Sequence, residues 1–146
     1  MSELAMPRVL TFRHSIAALF IAGFISTIIF HQAVAGVWYL MGIVPRPPFN
    51  FAPTAPLGVP AIWSLAFWGG VWGIVYGWVE NKFPQGAMYW IAAIVFGAIF
   101  PSLFSRIVVA PLKGQPIDLQ MIGLLRGFLI NGVWGLGVAA LLRWRP

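Results

Sequence analysis

The chain has 146 residues, of which 60% are hydrophobic and only 8% are charged, and its mean hydropathy is +0.88. A soluble domain carries about 25% charged residues, and so few charges cannot cover a surface that faces water. The high apolar content also excludes intrinsic disorder. The composition therefore predicts a membrane protein with several spans, which at this length forms one domain over residues 1–146.

The composition also restricts the chemistry. The chain has no cysteine, which excludes disulfides, thiolate metal sites and cysteine nucleophiles. Its net charge of +6 comes from cations that flank apolar runs and form no basic stripe, so we expect no nucleic-acid binding. Neither a metal-ligand cluster nor a paired carboxylate or nucleophile–base set stands out. We therefore expect no metal, no cofactor and no enzymatic activity.

Four apolar segments are each long enough to cross a bilayer as a helix, which takes about 20 residues. They cover residues 15–43, 58–79, 87–110 and 119–142. Helices satisfy their own backbone hydrogen bonds in lipid, and the alternation typical of a β-barrel strand is not seen. Prolines and glycines fill the connections. The sequence thus predicts an all-α, four-helix transmembrane bundle with a proline-rich first loop packed over its mouth.

The distribution of lysine and arginine predicts the orientation of the bundle. With both termini in the cytoplasm, the outer side carries Arg46 and Lys113, and Arg106 lies at the edge. The inner side then carries more cations: Arg8, Arg13, Lys82, Arg143 and Arg145. We therefore expect cytoplasmic N- and C-termini.

A tetrapeptide, Gly-Val-Trp-Gly, occurs at Gly70–Gly73 and again at Gly132–Gly135, at equal depth in the second and fourth segments. Two tandem helical hairpins, related by an axis along the membrane normal, would explain the match. Alternatively, each helix needs a glycine-flanked tryptophan for its own packing. The preceding segments align more weakly, through Ile21-Ala22 with Ile91-Ala92 and Ile29-Phe30 with Ile99-Phe100.

Glycines spaced by four line one face of two predicted helices. They are Gly69, Gly73 and Gly77 in the second segment and Gly123 and Gly127 in the fourth. Small residues let helix backbones approach closely in a membrane. We expect these faces to pack within the chain, or else against a second copy in a homo-oligomer.

Polar residues within or beside the spans are the candidate ligand-binding residues, because ionisable groups in a bilayer are costly to bury. Asp118 is the one acidic residue predicted for the outer side. Several cations facing one carboxylate favour an anionic partner, either a solute or a lipid headgroup. Gln32, beside His31, is expected to point elsewhere on the helix. The candidates are His31, Ser64, Arg106, Asp118, Arg126 and Asn131.

Each candidate also has a structural interpretation. Arg106 can extend its side chain to the outer interface. Arg126 can pair with Asp118, or it can bond Asn131 or backbone carbonyls freed by Pro101. Pro101 should also kink the third helix. His31 can be a hydrogen-bonded packing residue. Asn131 is expected to hydrogen-bond a neighbouring helix.

Three motifs carry a resemblance to a known family. They are Phe30-His31-Gln32, the stretch PTAPLGVPAIWSLAFWGG at 53–70, and Asn131-Gly132-Val133-Trp134-Gly135. Together they resemble a family of small four-span inner-membrane proteins of proteobacteria, over most of the chain from Gly23 to Leu142. The resemblance implies a bacterial inner membrane and carries no activity.

The sequence thus favours a non-enzymatic, multi-pass membrane protein that serves as an accessory or assembly factor and binds lipid or a membrane-protein partner. The alternative is a small transporter or channel protomer with a site for an anionic solute in its outer half.

Overall fold

The computed structural model describes residues 13–144, and it confirms the all-α, four-helix bundle. All four helices are long and apolar enough to cross a membrane. Their ends lie within three residues of the predicted spans. The helices are α1 (Ile16–Leu40), α2 (Ala61–Glu80), α3 (Ala87–Leu112) and α4 (Met121–Arg143). A small antiparallel sheet in the first loop pairs β1 (Pro53–Thr54) with β2 (Val59–Pro60).

The bundle has two distinct ends. The loop end carries the first loop, residues 41–60, and the third loop, residues 113–120. The terminal end carries the start of α1, the short loop at residues 81–86 and the end of α4. Arg8 and Arg145, on which the predicted orientation partly depends, lie outside the described residues.

Helices α1 and α2 form a hairpin through a close glycine crossing. A Cβ atom built on Gly23 would overlap the carbonyl oxygen of Gly69 and lie 2.9 Å from the Cα of Gly73. A Cβ on Gly73 would in turn overlap the carbonyl oxygen of Leu19. The backbones therefore approach as closely as small residues allow in a membrane. Gly77, one turn further, accommodates the side chain of Leu19.

Helices α3 and α4 repeat this crossing. A Cβ on Gly97 would overlap the carbonyl oxygen of Asn131 and lie 2.9 Å from the Cα of Gly135, and a Cβ on Gly135 would overlap the carbonyl oxygen of Ala93. Asn131 and Gly135 lie 62 residues after Gly69 and Gly73, the offset that the tetrapeptide repeat predicts. Gly97 lies 74 residues after Gly23, whereas the predicted alignment of the first and third spans used an offset of 70. That alignment is displaced by one helical turn.

The two hairpins meet mainly through α1 and α4. The Trp134 indole donates a hydrogen bond to the carbonyl oxygen of Gly23 at 3.0 Å, and the Ser26 hydroxyl donates to the carbonyl oxygen of Trp134 at 2.7 Å. Trp72, the counterpart of Trp134 in the repeat, instead packs its ring against Phe96 of α3, with centroids 6.0 Å apart. Both tryptophans therefore face the opposite hairpin. Where α2 and α3 meet, aromatic rings rather than close backbones make the contact.

Two helices contain a π-helical turn, at Thr27–His31 in α1 and Ser105–Val109 in α3. Pro101 lies inside α3, one turn before the second of these. A proline cannot donate the backbone hydrogen bond of a regular helix. The inserted residue of a π-turn changes the direction of the side chains that follow, and such turns are frequent at functional sites.

The first loop folds back onto the helices that it connects, as the sequence predicts. The backbone N–H of Phe49 donates to Gln32 Oε1 at 2.8 Å, which ties the loop to α1. The N–H groups of Ala61 and Ile62 donate to the carbonyl oxygens of Ala52 and Asn50 at 2.9 Å. These two carbonyls satisfy N–H groups that the first turn of a helix leaves free.

The close approach of α1 and α2 can be tested by adding one methyl group at Gly23. Gly23→Ala should lower the free energy of unfolding by about 1–3 kcal/mol, since overpacking forces backbones apart. Gly36→Ala, on the same helix, is the matched control, because its Cβ would meet only Pro48 Cγ at 3.5 Å. Thermal unfolding in mild detergent, followed by circular dichroism, measures both. Equal stability of the two variants would contradict the crossing geometry.

Candidate functional site

A cavity of about 510 Å³ lies between the helices at the loop end. We call it the central cavity, and all four helices contribute to its lining. Its deepest residues include Asn131 and Trp134, near the middle of α4. Five of the six predicted site residues line it: His31, Arg106, Asp118, Arg126 and Asn131. Ser64, the sixth, lies elsewhere.

Arg106 is bonded to the third loop and to the start of α4. Its Nη1 donates to the carbonyl oxygen of Asp118 at 3.0 Å and lies 3.4 Å from the Asp118 carboxylate, and its Nη2 donates to the carbonyl oxygen of Gly123. The side chain thus extends toward the end of the bundle. Gly123 admits it, because a Cβ there would lie 3.0–3.3 Å from the guanidinium atoms. Gly127, one turn along, contacts the side chains of Ser102 and Arg106 rather than a backbone.

Arg126 differs from Arg106 in having no partner among the described residues. It lines the central cavity and is half-buried. Of its predicted partners, Asp118 is bound by Arg106, and the Asn131 amide donates to Ser102. The carbonyls near Pro101 do not bond it either. A guanidinium is always charged and offers five donors in a fixed fork. Arg126 therefore presents unsatisfied donors to the cavity.

Asn131 joins the two helices of its hairpin. Its side-chain amide donates to the Ser102 hydroxyl at 2.9 Å, and Ser102 is fully buried. The Ser105 hydroxyl donates to the carbonyl oxygen of Ser102 at 2.9 Å, next to Pro101. This is the bond to a neighbouring helix that the sequence predicts for Asn131. The network gives the inner wall of the cavity a polar lining that is already hydrogen-bonded.

The side chains of His31 and Gln32 contact each other, contrary to the expectation that they point in different directions. Gln32 Oε1 accepts from the Phe49 N–H, so its amide nitrogen faces His31 Nδ1, at 3.3 Å. An amide nitrogen can only donate, which makes Nδ1 the acceptor and leaves the proton of the neutral ring on Nε2. His31 is the last residue of the first π-helical turn, and Gln32 directly follows it. His31 Nε2 is thereby left as a donor without a protein partner among the described residues.

Lys113 is a site residue that sequence reasoning placed only as an orienting charge. It lines the central cavity and also a second cavity of about 1010 Å³, the vestibule, which the proline-rich loop encloses. The two cavities share His31, Leu65, Lys113 and Gln115, so they adjoin each other. Burial among apolar groups lowers the pKa of the Lys113 ammonium. A nearby anion would favour its charged form.

Ser64 lies in a separate, apolar depression between α2 and α3, the lateral groove, of about 500 Å³. The groove runs along the tip of the first loop, and its lining includes Trp63, Phe67 and Leu112. Since His31 does not line it, the structure does not bring Ser64 and His31 to a common site.

Glu80, for which the sequence suggested no role, is buried at the terminal end with a relative exposure of 2%. The Tyr89 hydroxyl donates to Oε1 at 2.6 Å, and Tyr76 donates to Tyr89 at 2.9 Å. His14 Nε2 lies 3.6 Å from Oε2, which accepts no hydrogen bond from the described residues. The Arg143 guanidinium stacks 3.4 Å above the Tyr89 ring. This cluster, at the end of the bundle opposite the central cavity, links α2, α3 and α4 and the segment just before α1.

Comparison with protein families, curated proteins and solved structures finds no match to this chain. The resemblance to four-span proteobacterial proteins therefore remains a prediction from the motifs, and the site's chemistry is argued from its geometry.

The bond between Gln32 and the first loop predicts how that loop moves. Gln32→Leu removes the acceptor of the Phe49 N–H, and such a bond contributes about 1 kcal/mol. Amide hydrogen exchange over residues 45–52 should then be about fivefold faster. Gln120→Leu, an exposed position at the same end, should leave these rates unchanged. Unchanged exchange in the Gln32 variant would mean that the loop is held by other contacts.

The hydrogen bonds around Glu80 predict that the loss of one hydroxyl group lowers the stability of the protein strongly. Tyr89→Phe removes the hydroxyl donor of the buried Glu80 carboxylate and the acceptor of Tyr76, which should lower the free energy of unfolding by about 1.5–3 kcal/mol. Tyr39→Phe, at an exposed tyrosine, is the matched control and should have no effect. Chemical denaturation in detergent measures both variants. If the two lose the same stability, the cluster does not hold the terminal end.

Proposed function

We propose that this multi-pass membrane protein binds an anionic group in the central cavity and has no enzymatic activity. The observation that carries the proposal is the unpaired Arg126 guanidinium facing that cavity. Taking an arginine out of water is costly unless its charge is balanced. Since no described residue balances it, an anionic ligand is the partner that its environment favours. A phosphate or a carboxylate would match the guanidinium fork.

Two further donors support an anion at this place. Lys113 has no described partner for its ammonium group, and His31 Nε2 is free to donate. The one acidic residue among the described lining residues, Asp118, is bonded to Arg106. The cavity therefore keeps a net positive charge, which attracts anions strongly where the surrounding dielectric is low. Its lack of a free carboxylate favours binding over acid–base catalysis.

Two roles fit an anion-binding membrane protein. The first is an accessory or assembly factor that holds a lipid or a partner. The second is a small transporter or channel protomer, and the depth of the cavity favours it, because the lining extends from the loop end to Asn131 and Trp134 near the middle of α4. A transporter requires such access from one side to a site near the bilayer midplane.

We also propose a bacterial inner membrane, with the terminal end in the cytoplasm. The motif resemblance supports the compartment. For the orientation, the described cations at the terminal end are Arg13, Lys82 and Arg143. Those at the loop end are Arg46, Arg106 and Lys113, of which Arg106 is paired with Asp118. The sequence adds Arg8 and Arg145 to the terminal side, and this excess of cations supports the orientation by the positive-inside rule.

Anion binding can be measured through the tryptophans of the cavity, which are Trp38, Trp68, Trp72 and Trp134. Iodide should quench their fluorescence, and inorganic phosphate should protect them by competition. In Arg126→Gln, about ten- to a hundredfold more phosphate should be needed for the same protection, since a charged hydrogen-bonded contact contributes about 1.5–3 kcal/mol.

The control variant is Lys82→Gln, which removes one exposed positive charge at the terminal end. It should behave as the unmodified protein, and quenching by neutral acrylamide should be the same in all three proteins. If Arg126→Gln and Lys82→Gln respond alike to iodide and phosphate, the cavity does not bind anions through Arg126, and the proposed function is wrong.

A further inference from the structure

The lateral groove lies open to the surroundings of the bundle between α2 and α3. The large apolar side chains on its rim stay exposed: Trp63 by 46%, Phe67 by 52% and Leu112 by 62%. Its remaining lining is also apolar, apart from Thr54, Ser64 and Lys113. Since α2 and α3 are long and apolar enough to cross a membrane, this opening lies on the side of the bundle where acyl chains would be.

The groove exists because the two hairpins do not close on each other along this seam. Each hairpin is joined by its own glycine crossing, whereas α2 and α3 meet through rings such as Trp68 and Phe104, with centroids 5.7 Å apart. Beyond these rings, toward the loop end, the tip of the first loop forms one wall of the groove through Leu57 and Val59. The first loop, α2 and the end of α3 thus line the groove.

The inner end of this groove adjoins the central cavity. Trp68, Val109 and Lys113 line both spaces. On one side of these residues the lining is almost wholly apolar, and on the other it carries Arg126 and His31. The Lys113 ammonium, which has no partner in residues 13–144, lies where the apolar and cationic surfaces join. This order of surfaces complements a molecule with an apolar chain and an anionic head.

We propose that the anionic ligand of the central cavity is a membrane phospholipid, which enters between α2 and α3. One acyl chain lies in the lateral groove, and the phosphate sits past Lys113 with Arg126. The proposal rests on anion binding by the central cavity, and it adds the substrate class and the route of entry. A soluble phosphate shares the headgroup chemistry but makes no use of the groove.

Native mass spectrometry of the full chain in mild detergent tests this. The probes are palmitoyl-oleoyl phosphatidylglycerol, phosphatidylcholine with the same chains, and short-chain dihexanoyl phosphatidylglycerol. One molecule of the long-chain anionic lipid should bind about tenfold more tightly than either of the others. The zwitterionic lipid lacks the net charge, and the short chains cannot fill the groove.

Two variants separate chain recognition from headgroup recognition. Ser64→Phe fills the groove without touching the central cavity, so the long-chain lipid should lose its advantage over the short-chain lipid while phosphate still protects against iodide. Lys113→Gln should reduce the preference for the anionic over the zwitterionic lipid by a similar factor. Ala17→Phe, an exposed position near the start of α1, is the control for added bulk and should change nothing.

The outcomes are distinguishable. If short-chain lipid and inorganic phosphate bind as tightly as the long-chain lipid, and Ser64→Phe has no effect, the ligand is a soluble anion. The lipid proposal is then overturned while the proposed function stands. If both long-chain lipids bind equally and Lys113→Gln changes neither, the groove holds only surrounding lipid, which also overturns the proposal. If Arg126→Gln and Lys82→Gln respond alike to iodide and phosphate, the proposed function itself is wrong.

Discussion

The close approach of helix backbones at the glycine crossings is the contact on which the rest of the structure depends. Gly23 with Gly69 and Gly73, and Gly97 with Gly135, allow each hairpin to join as a unit. Packing of this kind drives helix association in lipid, where burial of apolar surface contributes little. The glycines of each crossing pack within their own hairpin. The two hairpins therefore meet through Trp134 where α1 contacts α4, and through aromatic rings where α2 contacts α3. The second contact leaves room for the cavity and the groove.

The partners of the buried charged side chains explain where ligand binding is expected. In a low-dielectric setting an arginine needs an anion or several acceptors beside it. Arg106 obtains both from Asp118 and Gly123, and it lies at the end of the bundle. Glu80 obtains the Tyr89 hydroxyl and the neighbouring His14. Arg126 obtains neither kind of partner within the described residues, although it lines the central cavity between the helices. Its unbalanced charge distinguishes the candidate site from the structural ion pairs.

Much of this arrangement follows from the sequence, and the exceptions have physical reasons. Span positions follow from hydropathy, and the polar residues of the cavity follow from their depth along the helices. The packing of Gly23 and Gly97 was not predicted, because neither has a second glycine four residues away on the same helix face. The contact between His31 and Gln32 was missed because adjacent residues of a regular helix point in different directions, and the π-helical turn that ends at His31 has no sequence signal. The pairing of Asp118 with Arg106 rather than Arg126 depends on the path of the third loop, which periodicity does not specify.

The position of a bound anion tests the account most directly. Crystals of the protein grown with iodide would reveal the ion by its anomalous scattering. The account predicts an iodide ion in the central cavity in contact with the Arg126 guanidinium, with the Arg106–Asp118 pair intact. A cavity without iodide, together with Arg126 bonded to Asp118 or to a backbone carbonyl, would contradict it.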